Sequence, residues 1–199
     1  MTLAYRLGYF DPPESQPYRQ LAWSDVNKPD AQALAHTAAV EGLVLLKNDG
    51  FLPVSPSGKT VAIIGPYTNA TTDMQGNYFG TAPFIVTPFQ GAMDAGFDKV
   101  MSATGTSISS TSDAGFAAAI DAANSSDIIV FTGGINNSIE AESRDRLTIA
   151  WTGNQLDLVK QLASLGKPVI VVQFGGGQVD DTVLLENDAV SDLPQNENW

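Results

Sequence analysis

The chain has 199 residues, 43% of them apolar and 16% charged, the balance of a globular protein rather than a disordered one. Its net charge of −12 opposes nucleic acid and anionic membranes as partners and suits a neutral substrate. With no cysteine it has no disulfide framework, no thiolate chemistry and no cysteine metal site, and no apolar run approaches a membrane span.

Residues 1–29 mix Pro12, Pro13, Pro17 and Pro29 with Tyr5, Tyr9, Phe10, Tyr18 and Trp23. No period dominates there, which reads as an extended arm or interdomain connection. The first residues, Met1 to Arg6, lack the apolar core of a signal peptide. Asp30 as N-cap, followed by Leu34, Ala38 and Leu45, predicts a helix over residues 31–47, stopped by Asn48-Asp49-Gly50. Val61 to Ile64 form a short buried strand ending at Gly65-Pro66. Residues 67–90 hold Gly76-Asn77-Tyr78-Phe79-Gly80 among other turn formers, and a loop that long inside a domain usually has a function. A short helix is expected at its end, over 88–95.

A second strand is expected at 99–102, a helix at 113–124, a strand at 127–132, a helix at 153–165 and a strand at 169–174 that ends in Gly175-Gly176-Gly177. Buried strands alternating with helices indicate an α/β fold with a mostly parallel sheet covered on both faces. After Phe174 the chain offers Val183-Leu184-Leu185, Asp188-Ala189-Val190 and a polar tail over 191–199. The sheet therefore reads as truncated at its C-terminal strands.

One loop concentrates the chemistry. Ser138-Ile139-Glu140-Ala141-Glu142-Ser143-Arg144-Asp145-Arg146 packs five charges into seven residues, directly after a buried strand and Gly133-Gly134. In an open α/β sheet that edge is where ligands bind. Carboxylates beside arginines can hold one acid protonated and another ionised, as acid/base chemistry requires; a solvated loop with surface ion pairs is the plain alternative. Glycoside hydrolysis needs two carboxyl groups flanking the bond, and this loop can supply one. Glu140 and Glu142 are two apart and face the same way in an extended chain. Arg144 and Arg146 then hold Asp145 or the loop itself.

Other features say less. Gly175-Gly176-Gly177 lacks the spacing of a dinucleotide or phosphate loop, and serves as a close backbone approach or a tight turn. His36 is the only histidine, which argues against a Ser-His-Asp triad or a histidine metal site. Trp151 is either a sugar-stacking face or core. Asn69, Asn124 and Asn136 head glycosylation sequons, a weak sign of secretion.

The chain resembles glycoside hydrolase family 3, and within it the fungal β-xylosidase branch. The matching pieces are Glu41 to Asn48 with Leu52-Pro53, Val61 to Pro66, Gly76-Asn77-Tyr78, Ile139-Glu140-Ala141-Glu142 with Arg144-Asp145-Arg146, Trp151 with Gly153 to Leu158, and Gly166-Lys167-Pro168 leading to Gln173 to Asp180. They stand in family order over residues 5–190. The resemblance implies a three-layer α/β/α sandwich over 30–190, with 1–29 as the linker or end of a barrel domain and 191–199 as a tail outside the family pattern. It implies a retaining exo-β-xylosidase that takes terminal xylose from xylo-oligosaccharides, without a cofactor or metal. The nucleophile would come from the barrel domain, absent here, so the chain alone is expected to be inactive. The complete enzyme would be extracellular. The acid/base carries over to Glu140, with Glu142 as the alternative. Asn77, Tyr78, Arg144, Trp151 and Gln178 carry over as substrate-binding residues. A β-glucosidase of the same family, a non-catalytic sugar-binding module and a nonfunctional fragment are the rival readings.

Overall fold

The structure, a computed structural model, describes residues 1–187. The expected tail at 191–199 and Asp188-Ala189-Val190 lie outside the described residues. The chain divides into two compact units, Met1–Leu45 and Leu46–Trp199.

The first unit holds two helices, α1 (Thr2–Arg6) and α2 (Pro29–Glu41), with single 3-10 turns between them. Neither helix has a buried residue. Pro29 at the first helical position suits α2, because a proline there gives up only an unneeded donor. The helix stops at Gly42, short of the expected 47. Gly42 N–H closes on Ala38 O at 2.9 Å, and the following Leu43-Val44-Leu45-Leu46 is apolar on every side, so it offers no amphipathic face. The stretch 30–41, expected to open the sandwich, groups with this first unit.

The second unit runs β1 (Thr60–Ile64), α3 (Pro88–Asp94), β2 (Lys99–Ala103), α4 (Phe116–Asn124), β3 (Ile128–Gly134), α5 (Gln155–Ala163), β4 (Val169–Phe174) and α6 (Thr182–Leu185). The strands pair in the order β2-β1-β3-β4, every pair parallel. This is the α/β fold read from the sequence. The apolar runs explain it: alternate residues of a strand point to opposite faces, so a strand apolar throughout must be covered twice. Ala62, Ile64, Ile129, Phe131 and Val169 pack beneath Phe116, Ala119 and Ala123 of α4 and Leu158, Val159 and Leu162 of α5. Val61, Ile63 and Ile128 face the other way, against Ala92 of α3 with Phe51, Val54 and Phe97 beside it. Helices therefore cover both faces, in three layers.

β3 runs past the expected 132 to include Gly133 and Gly134, which pair with Gln173 and Phe174 of β4. Lys167 closes the turn before β4: its Nζ donates to Ala123 O, Asn124 O and Ser126 O at 3.0, 2.7 and 2.6 Å, a cation where the dipole of α4 is negative. Lys47 Nζ donates to Leu185 O and Asn187 O at 2.7 and 3.0 Å. Among the described residues no helix is long and apolar enough to cross a membrane.

Candidate active site

Parallel strands put all their carboxyl ends on one edge, so the segments after β1, β3 and β4 meet there. Two glycines permit the approach. Gly65 (φ 121°) and Gly134 (φ 129°) hold conformations that other residues rarely adopt, and a Cβ on either would strike backbone of the neighbouring strand, at Thr132 and Phe174 respectively.

Gln155, the first residue of α5 and wholly buried, organises the start of the charged loop. Its Oε1 accepts from Gly134 N at 2.9 Å, and its Nε2 donates to Gly134 O at 2.8 Å and Ile108 O at 2.9 Å. A single amide thus satisfies backbone where the sheet ladder ends.

The loop is not an extended strand. Ile139 N and Glu140 N both donate to Asn136 O, at 2.9 and 3.1 Å, making one helical turn. Ala141 and Arg144 then exchange backbone hydrogen bonds of 3.1 and 2.9 Å around a tight reversal, with Ser143 left-handed at φ 63°. Glu140 and Glu142 are separated by this change of direction. The Glu140 carboxylate rests against Gly177 and accepts from Arg146 Nε. Arg146, with only 10% of its side chain exposed, also donates from Nη2 to Gln178 O at 2.5 Å. Its Nη1 is buried and, among the described residues, has no hydrogen-bond partner. Arg144 Nη1 donates to Ser138 O at 2.7 Å. Both arginines therefore hold loop backbone or Glu140. Glu142 sits exposed at the turn, and among the described residues its side chain has no hydrogen-bond or ionic partner.

The loop after β1 is tied to the same place. Asn136 Nδ2 donates to Asp73 Oδ1 at 2.9 Å, and Asn137 Nδ2 to Gly76 O at 2.6 Å. These ties leave Asn77 and Tyr78 exposed beside the charged loop's first residues, with Tyr78 left-handed at φ 47°. Beneath them Tyr67 is buried, donating its hydroxyl to Ile135 O at 2.5 Å and stacking on Phe174 with ring centroids 4.5 Å apart. Burial, reinforced by the charge of Asp73, pushes the Tyr67 phenol up to about 12.

Trp151 is placed differently from a sugar platform. It is 8% exposed, belongs to the core beneath α5, and its Nε1 donates to Asp181 Oδ1 at 3.0 Å. Burial raises the Asp181 carboxyl, the Trp151 bond opposes that rise, and the charge of Asp180 adds to it. Gln178 has an exposed side chain while its carbonyl serves Arg146. Glu140, Asp145, Arg146, Thr148, Ile149 and Asp180 are among the residues lining an open cavity of about 600 Å³. Among the described residues no group of three His, Cys, Asp or Glu side chains is placed to hold a metal ion. Tyr67, Asn136, Asn137 and Gln155 all shape this edge, a role the sequence did not suggest: Asn136 stood out only as the head of a sequon and Gln155 only within a family-like stretch. The signal available for Gln155 was its place, just after Gly153 at the head of a helix.

Residues 43–192 match the model of the glycosyl hydrolase family 3 C-terminal domain. The chain is 59% identical over 188 residues to "Probable exo-1,4-beta-xylosidase bxlB" of Aspergillus terreus, covering 94% of this chain and 24% of the relative. It is 58% identical over the same length to the protein so named in Aspergillus fumigatus, again with 94% and 24% covered. Among solved structures it superposes with TM-score 0.88 and 52% identity on a GH3 exo-beta-xylosidase, XlnD, in complex with a xylobiose aziridine activity-based probe, covering 94% of this chain and 24% of that one. A beta-glucosidase from Listeria innocua in complex with gluconolactone gives 0.81 at 26% identity, over 96% of this chain and 26% of that one. The chain thus spans about a quarter of the length of these curated relatives, 24%. Its fold, its curated relatives and the match over 43–192 agree: the chain belongs to glycoside hydrolase family 3, as a β-xylosidase-like C-terminal domain of that family.

Proposed function

We propose that this chain supplies the proton-transferring side of a retaining exo-β-xylosidase that releases xylose from the non-reducing ends of xylo-oligosaccharides. The nucleophilic carboxylate comes from a barrel domain outside this chain, and the complete enzyme works outside the cell. One carboxyl of this chain protonates the leaving oxygen and later takes a proton from water, about 5–5.5 Å from the nucleophile.

The observation that carries the reading is the charged reversal at the carboxyl edge, with one glutamate engaged and one free. It favours Glu142 over Glu140 as the acid/base, the reverse of the order drawn from resemblance. Glu140 already accepts from Arg146 and packs on Gly177. Glu142 stands exposed at the turn, where a group that must reach a sugar on another domain has to stand. Glu140 and Arg146 then set the turn's position. Asn77, Tyr78 and Gln178 are the sugar-contacting side chains in this reading. Arg144 supports the loop, and Trp151 supports the floor through Asp181.

The test is hydrolysis of xylobiose, dinitrophenyl β-xyloside and an aryl β-glucoside by this chain, alone and with the family's barrel domain added. The expected result is no turnover alone and xyloside turnover in combination. Glu142→Gln should slow xylobiose by about 10²–10⁴-fold. It should slow xylosyl transfer from the dinitrophenyl xyloside far less, because that leaving group departs without a proton. The same pattern from Glu140→Gln would return the role to Glu140. Turnover by the chain alone that survived both substitutions would overturn the proposal, and preference for the glucoside would move the substrate to glucose.

A further inference from the structure

The three sequons differ in what the fold does with their asparagines. Asn69 follows β1, in a segment where Tyr67, Thr68 and Ala70 are buried and Asn69 alone is exposed. Asn124 ends α4, on the edge opposite the charged loop, and its side chain is exposed too. Among the described residues neither amide has a side-chain partner. Asn124 engages only through its backbone carbonyl, which accepts from Lys167.

Asn136 is occupied on both sides. Its Nδ2 donates to Asp73 at 2.9 Å, and its Oδ1 accepts from Ser138 N and Ser138 Oγ at 3.0 and 2.6 Å. The serine that completes its sequon is thus turned back onto the asparagine. An oligosaccharide on Nδ2 would stand between Asn136 and Asp73, beside the bond from Asn137 to Gly76. The folded chain that carried it would give up the junction of two loops at the site. At Asn69 and Asn124, both exposed, it would displace no side-chain hydrogen bond among the described residues; Ser126, which completes the Asn124 sequon, is buried and donates to Ala123 O at 2.9 Å, a bond that does not involve the Asn124 amide.

We infer that Asn69 and Asn124 are glycan acceptors and that Asn136, though it heads a sequon, is not one in the folded protein. The reaction uses a lipid-linked oligosaccharide diphosphate as donor. The bond from sugar C1 to phosphate oxygen breaks, a bond from C1 to asparagine Nδ2 forms, an amide proton is released, and the lipid diphosphate leaves. The inference rests on the secreted location proposed above. Its test fixes the route of export separately, by placing the whole chain behind a secretion leader in a eukaryotic host.

The secreted, cooperatively melting product would be trimmed to one sugar per site, and its peptides mapped by mass. The expected result is a remnant at Asn69 and at Asn124 and none at Asn136. A remnant at Asn136, or a bare Asn69 or Asn124, overturns the assignment. Asp73→Ala supplies a second arm, because it frees the Asn136 amide. Asn136 should then gain sugar; if it stays bare, the Asp73 bond is not what excludes the glycan. Asn124→Gln should remove one glycan and leave the melting temperature of the trimmed protein unchanged.

Discussion

The two edges of the sheet are built from the same four strands and closed in different ways. At the amino edge the connections are short and capped by ions. Asp127 Oδ2 accepts from Thr60 N and Thr60 Oγ1 at 2.8 Å each, and Lys167 gathers three carbonyls. At the carboxyl edge, two arginines brace the charged loop, and the rest of the irregular backbone is held by neutral side-chain amides and one phenol reaching from segment to segment: Gln155, Asn136, Asn137 and Tyr67. An ion at a turn stabilises the fold and little else. A buried amide that satisfies both a donor and an acceptor fixes the position of a loop that has no ladder of its own. The bridging amides are concentrated on the edge proposed above to carry the chemistry, where loop placement would have to be precise.

The sharpest way to break this comparison is Gln155→Leu. It leaves Gly134 N, Gly134 O and Ile108 O without their partner, and should cost about 3 kcal/mol in urea unfolding. A loss below that of a surface substitution would mean water replaces the amide. Tyr67→Phe comes next, at about 1–2 kcal/mol, since it strands the Ile135 carbonyl but keeps the ring stack. It also has a pH signature. The phenol lies near 12 in the fold against 10.0 ordinarily, so the folded state favours the neutral form. That contribution is complete below pH 10 and fades as pH rises towards 12. Chemical denaturation over that window should fall in the wild type and be flatter in Tyr67→Phe.

Lys167→Met tests the other edge. We expect a loss of about 1 kcal/mol with no change in amide hydrogen exchange over 135–146. Faster exchange there would erase the distinction between the edges. The smallest global effect is expected from Asn137→Ala, within about 0.5 kcal/mol. Exchange across residues 72–80 should nonetheless quicken, because the Gly76 carbonyl loses its anchor.

The strands were legible because a segment buried on both faces must be apolar throughout, and Val61 to Ile64, Ile128 to Phe131 and Val169 to Val172 are. The same rule misled at Leu43 to Leu46, where an apolar run reads like the end of a helix although Gly42 has already stopped it. The charged loop was legible from its place after a strand. Its inner division was not: spacing pairs Glu140 with Glu142, and only the reversal at Ser143, with Arg146 folding back on Glu140, parts them. Trp151 shows the limit from the other side. An indole has one donor and a large apolar face, and sequence does not say whether a sugar or a core meets it; here the core does. The roles of Gln155 and Asn136 were invisible because an amide looks alike in a sequence whether it faces water or satisfies a strand end.

Lys47 carries one more consequence. It stands second in the sheet-bearing unit, and its ammonium holds the carbonyls of Leu185 and Asn187, the last turn described. Within the described residues, the first turn of that stretch is therefore tied to the last by one ammonium. A tie between residues so far apart in sequence closes a long loop, and closing it is worth most in the freedom it takes from the unfolded chain.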